Sequence, residues 1–272
     1  MREDFRPFRW VAGVAQYGVS SVKLVRIAYH DEVGILELNR GITNALNLQL
    51  VVELTQALQQ MRQKTDIRGV VLRSSNEKFF SIGFDIPELL QLVRDDFRVF
   101  YHSFNKLCVH LYTLPKPTIA AITGHAVAGG CILSLCCDYR LIAEGRKLMG
   151  LNEVKLGVPV PYPADCILRH VVGPPNAREI VYGGEFYESE RLLQLNMVDD
   201  VVPLQQVVPE SIKKASLLGE SCGEAFGMIK RNRTESVEAE IAKNIDEKER
   251  FFIKCWYSRK ARERLREAAK KY

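Results

Sequence analysis

The chain has 272 residues, 47% of them hydrophobic, and carries 38 Lys and Arg against 33 Asp and Glu, a net charge of +5. That composition supplies a large apolar core and excludes an intrinsically disordered chain. No apolar run approaches the roughly 18 residues needed to cross a bilayer, so no membrane partner is expected.

Residues 1–22 precede the first strand signal. Trp10–Val19 (WVAGVAQYGV) is a short apolar patch behind Arg2, Arg6 and Arg9. Glu3 and Asp4 come before it, Gln16 interrupts it, and no A-x-A pattern follows, so it reads as an N-terminal extension and not as a secretory leader. Lys23–Tyr29 and Val33–Leu38 predict two strands around the turn His30-Asp31-Glu32. Leu50, Val51, Leu54, Leu58 and Met61 recur at helical spacing, predicting a helix over 47–64 with Asn47 as its N-cap. Gly69–Leu72 is a buried strand, and Phe79–Asp85 is a strand end meeting a glycine turn. Two helical stretches run to Thr113, where Pro115 and Pro117 break the pattern.

Thr118–Ile122 is the next strand. Gly124 turns the chain, and a short buried helix begins at Ala128. Tyr139–Ala143 and Lys147–Met149 are further strands. From Pro161 the pattern is helical to the end, apart from a strand near Asp200–Val202. Strands alternating with helices predict an α/β fold with a mostly parallel sheet over 23–203. A helical region follows over 204–272.

Charge is unevenly spread. From Asn244 to Tyr272 there are ten Lys and Arg against five Asp and Glu, so the whole net charge sits there. That suits an anionic ligand such as a phosphate, and equally a solvated helix end. Seven cysteines, with no CxxC pair or metal-ligand spacing, predict a reducing compartment and no metal site. The cytoplasm is the expected location.

Two glycine turns fall at strand ends, where α/β sheets collect ligands. One is Ser81-Ile-Gly-Phe-Asp85, the other Ala128-Gly-Gly-Cys131. Glycine lets a backbone approach a ligand closely, and the first N–H groups of a helix are unpaired donors at its positive end. Two such amides aimed at one point form an oxyanion hole, each donor worth about 3 kcal/mol in the transition state. The competing explanation is close helix packing.

Four pieces in order are Asn44-Ala-Leu-Asn47, Phe80–Asp85, Ala128–Asp138 and Leu151-Asn-Glu-Val-Lys-Leu-Gly157. Together they resemble the crotonase, or enoyl-CoA hydratase/isomerase, superfamily from about Lys23 onward. The resemblance implies a spiral of repeated ββα units, with a helical C-terminal region for trimerisation and pocket closure. It implies homotrimers or hexamers, and an acyl-CoA thioester substrate whose coenzyme A is no separate cofactor. By motif position, Phe84 and Gly129 supply the oxyanion-hole amides. Ile82, Gly83, Asp85, Gly130 and Ile132 complete the substrate-binding turns, with the Ile82 carbonyl facing the adenine.

The departures matter more. Hydratases of this superfamily carry two glutamates; the first position is Ile132 here, and the second is Glu153. A single carboxylate can move a proton from C2 to C4 of an enoyl chain, which is the pattern of the Δ3,Δ2-enoyl-CoA isomerases. Glu153, if buried beside Ile132, has its pKa raised toward roughly 6–7. The hydratase lysine after Asp85 is replaced by Pro87, leaving Lys254, Arg259 and Lys260 as replacement phosphate contacts. His125 reads as structural more readily than catalytic, and Asp138 as a turn anchor. The alternative is another reaction of the same superfamily on an acyl-CoA, residual hydration, hydrolysis or decarboxylation, with Asp165 as its candidate second acid. A nucleic-acid-binding relative is the remaining alternative, weakened because the 47–64 helix carries only Arg62 and Lys64 with Glu53 against them. No nucleic-acid partner is expected.

Overall fold

The computed structural model of the chain describes residues 23–220 and 223–270. The expected N-terminal extension lies outside them. β1 (Val25–His30) and β2 (Val33–Leu38) form an antiparallel hairpin. In α1 (Leu48–Gln63) the Asn47 side chain accepts the Leu50 N–H at 3.0 Å, and the five periodic apolar side chains are all buried.

Three ββα units follow. The first is β3 (Gly69–Ser74), β4 (Phe79–Ser81), α2 (Ile86–Leu89) and α3 (Arg94–Tyr112). The second is β5 (Thr118–Ile122), β6 (His125–Val127) and α4 (Gly129–Leu135). The third is β7 (Tyr139–Ala143), β8 (Met149–Gly150) and α5 (Glu153–Leu156). In each unit the first strand joins a six-stranded sheet and the second joins a four-stranded sheet. β3, β5 and β7 lie side by side in parallel, and so do β4, β6 and β8. The chain therefore advances one strand in both sheets per turn, which is the expected spiral.

Then come α6 (Tyr162–Val172), α7 (Pro174–Gly183), β9 (Phe186–Tyr187), α8 (Ser189–Gln194) and β10 (Asp200–Val202). α9 (Val207–Gly219), α10 (Gly223–Trp256) and α11 (Arg259–Ala269) complete the chain. Two sheets replace the single one expected. β6 and β9 were not anticipated, and β8 lies at Met149–Gly150 instead of Lys147–Met149. Strands of two or three residues show no alternation, and only their partners in the second sheet define them.

The larger sheet is covered on both faces. Leu72, Ala120 and Ile122 belong to the main core, whereas Val71, Ile119 and Ala121 pack with Val207 and Ala215 of α9. That is the two-residue period of a strand with apolar side chains on both sides. Among the described residues, no helix is long and apolar enough to cross a membrane.

One polar cluster ties α10 to this sheet. The Asp138 carboxylate accepts from Thr118 N–H at 2.8 Å, Thr118 Oγ1 at 2.9 Å and Lys230 Nζ at 2.7 Å. Lys230 is only 5% exposed, so its charge depends on that carboxylate. Asp138→Ala leaves it uncompensated and is expected to cost about 3 kcal/mol, measured by urea unfolding against wild type.

Candidate active site

The first glycine turn is held from several sides. Leu46 N–H donates to the Gly83 carbonyl at 2.7 Å and Asp85 N–H to the Leu46 carbonyl at 3.0 Å, so the pairing passes over the Phe84 amide. The Asp85 carboxylate caps α2 by accepting Glu88 N–H. Arg40 grips the same turn, donating to Asp85 at 2.7 Å, to the Ala45 carbonyl at 2.8 Å and to Glu88 at 2.8 Å. The Phe84 ring packs edge-on against Phe100 and Phe104, with centroids 4.9 and 4.8 Å away. Backbone and side chain are both fixed, and the amide between them has no acceptor among the described residues.

The second turn meets it directly. Ala128 has φ 48° and ψ −120°, a strained conformation for a residue with a Cβ, and such strain clusters at functional sites. Its N–H donates to the Gly150 carbonyl at 2.8 Å. Gly129 then opens α4 with an amide that also has no acceptor among the described residues. Gly83 has φ 85°, and a Cβ there would lie 2.6 Å from the Gly129 nitrogen. A Cβ on Gly130 would lie 2.2 Å from the Ser81 carbonyl oxygen. Both readings of the double glycine therefore hold: Gly130 permits helix packing, and Gly129 brings a helix-terminal amide beside Phe84.

Phe84, Gly129 and Glu153 line one cavity of about 690 Å³. Glu153 stands at the start of α5, straight after β8. It is 6% exposed, and its Oε2 has no hydrogen-bond partner among the described residues. Burial pushes its pKa from 4.5 to about 7, opposed only by its own backbone N–H. Ile132, also on the cavity wall, supplies neither charge nor donor. The inner end is apolar and buried, with Ile132, Val158, Phe252 and Trp256. The outer end carries Lys155, Arg264 and Arg266, with Glu263 and Glu267 flanking the two arginines along α11. Lys155 pairs with Glu185 at 2.6 Å.

Not every expected residue reaches this space. Ile82 is on the wall, Gly83 and Gly130 support it from behind, and Asp85 holds the turn. Lys254 is exposed on α10 and is absent from the wall, because its helix turns Phe252 and Trp256 inward instead. Asp165 lines a neighbouring chamber and pairs with Arg169 at 3.2 Å. His125 Nδ1 accepts the Leu148 N–H at 2.9 Å, and burial lowers its pKa, which keeps the ring neutral. Trp256, Arg264, Arg266 and Phe186 carried no individual sequence signal. Only the basic C-terminus, taken as a whole, pointed toward the two arginines.

A family model described as Enoyl-CoA hydratase/isomerase matches residues 29–271. The chain belongs to this family. Among its relatives, "Enoyl-CoA delta isomerase 1, mitochondrial" of Mus musculus is 32% identical over 176 residues, which is 64% of this chain and 61% of the mouse protein. "Fatty acid oxidation complex subunit alpha" of Idiomarina loihiensis is 35% identical over 191 residues, 68% of this chain and 26% of that protein. In both, the match spans less than two thirds of the relative's length. The crystal structure of human mitochondrial delta3-delta2-enoyl-CoA isomerase superposes with TM-score 0.88 at 24% identity, covering 92% of this chain and 98% of that one. The enoyl-CoA hydratase from Bacillus halodurans superposes with TM-score 0.83 at 22% identity, covering 90% and 100%. Family members named for different reactions share this fold, so the fold alone does not choose between them.

The Glu153 pKa has a thermodynamic consequence. Below pH 4.5 the carboxyl is protonated whether folded or unfolded, and it contributes nothing to pH dependence. Between 4.5 and about 7 the unfolded chain releases the proton first, so stability falls as pH rises. Above that window the penalty is about 3 kcal/mol. Glu153→Gln is expected to remove this slope and to be the more stable protein above pH 7. Unfolding of both proteins across that pH range checks it; parallel curves would contradict the assigned pKa.

Proposed function

We propose that the protein is an enoyl-CoA isomerase that converts a 3-enoyl-CoA to the conjugated 2-enoyl-CoA. The observation that carries this reading is a single buried carboxylate, Glu153, on the cavity wall that also holds the unpaired amides of Phe84 and Gly129.

The chemistry follows from those groups. The thioester carbonyl oxygen accepts from both amides. Ionised Glu153 takes a proton from C2, and the electron pair spreads over a dienolate whose oxygen the amides stabilise. The carboxylic acid so formed returns the proton to C4, leaving the double bond between C2 and C3 and the base restored. A pKa of about 7 leaves the group able to act in both directions near neutrality. Ile132 keeps the inner cavity free of a second base, which a hydration reaction would need to orient water. Arg264 and Arg266 stand at the outer end, suited to the phosphates of coenzyme A, with Lys155 beside them. This replaces the role expected of Lys254. Asp165, paired with Arg169 outside the cavity, does not favour a hydrolase or decarboxylase.

Purified protein mixed with a 3-enoyl-CoA is expected to produce the ultraviolet absorbance of a conjugated thioester. Glu153→Gln should lower kcat by about 10²–10⁴-fold. Wild-type kcat/KM should rise with pH and level off above about 7, as the carboxylate forms. Rapid hydration of a 2-enoyl-CoA with no double-bond migration would contradict the reading.

Gly83→Ala tests the amides separately. Its methyl group would press on the Gly129 nitrogen and its φ of 85° would be strained. Kinetics should show kcat lowered by about 10²-fold with KM nearly unchanged, because the donors act chiefly on the transition state.

A further inference from the structure

Against the inner end of the cavity lies a second, solvent-open cleft of about 320 Å³, on which Val154 and Phe251 are 47% and 57% exposed. Val158 and Phe252 line both spaces and so form the wall between them. The cleft is faced by Val154, Pro159, Val160, Val181 and Phe251. Three of the ionisable groups on it are already engaged. Asp165 pairs with Arg169 at 3.2 Å and Lys248 with Glu247 at 3.5 Å. Tyr162 Oη accepts from Asn244 at 3.1 Å. A space with mostly apolar walls takes hydrocarbon.

The wall itself is rigid. The Phe252 ring stacks on Tyr101 with centroids 4.0 Å apart and planes 15° from parallel. Phe97 and Trp256 lie 6.5 and 6.3 Å away, also near parallel. Phe252 is 2% exposed, and the stacked rings hold it in place. Charge at the outer end of the main cavity directs the polar part of a thioester outward. The acyl tail must then run inward past Glu153 and end against Val158 and Phe252.

We propose that Val158 and Phe252 are the end wall that limits acyl-chain length, and that the cleft behind them accepts the additional carbons once the wall is cut back. The inference rests on the acyl-CoA reading above and adds the residues that set its substrate range.

Calorimetric binding of saturated acyl-CoAs, from butyryl to palmitoyl, tests it without requiring any reaction. Each methylene buried in apolar surroundings tightens binding by about fourfold. Wild-type affinity should climb at that rate and then stop climbing at one chain length. Phe252→Ala should move the break to longer chains. Val158→Ala should move it in the same direction by less, and its smaller cavity makes it the variant to rely on if Phe252→Ala fails to fold. Thermal melting establishes folding for each. Affinity that climbs through palmitoyl in wild type, or a break that a folded variant leaves in place, would overturn the proposal alone. No binding at any length would overturn the acyl-CoA reading and this proposal with it. Loss of isomerisation with the breaks moving as expected would remove only the isomerase reading.

Discussion

The structure turns on one close backbone contact. The start of α4 presses on the end of β4 so tightly that a Cβ at Gly83 or Gly130 would meet a main-chain atom within 2.6 Å. Only the absence of side chains permits that approach, and only that approach sets the Phe84 and Gly129 amides on one cavity. Successive ββα turns lay the end of one short strand beside the next. The surrounding hydrogen bonds then serve one purpose. Arg40 holds Asp85, the Gly150 carbonyl holds Ala128, and two amides are left without acceptors among the described residues. Unpaired donors are costly when buried, and a cavity that receives an oxygen atom is their natural complement.

Glu153 is the electrostatic counterpart. An ionised carboxylate with an unpartnered oxygen in an apolar pocket is disfavoured, and its pKa rises until proton uptake and release balance near neutrality. The penalty falls on stability, and under the proposed reaction the benefit falls on proton transfer. A second charged group in place of Ile132 would change both the field and the chemistry. The same fold can therefore host different reactions through the choice of side chain at one or two positions.

α10 connects distant parts of the chain to this centre. Lys230 anchors it on Asp138, and about seven turns later Phe252 and Trp256 reach the inner end of the cavity. α11 then crosses the outer end, where Arg262 donates to the Leu90 carbonyl at 2.8 Å and places Arg264 and Arg266 at the opening. The cavity thus has an apolar inner end and a basic outer end, and α10 and α11 bring to it residues more than a hundred positions beyond Phe84.

Much of this was legible in the sequence. The apolar spacing of α1, the unbroken TIAAI of β5 and the ordered glycine motifs each follow from local chemistry, because periodicity and conformational freedom belong to the residues themselves. Glu153 and Ile132 could be located through their places in those motifs. The second sheet could not, because strands as short as β6, β8 and β9 exist only by virtue of their partners. Nor could the exclusion of Lys254 and Asp165, or the arrival of Trp256, Arg264 and Arg266. Which face of a long helix meets a cavity depends on how that helix is anchored, and one anchor here is the part-buried Lys230–Asp138 pair joining residues 92 apart. Local pattern determined the elements and the chemical types available to the site; tertiary packing decided which of them share a wall, because burial and close approach are properties of the assembled chain.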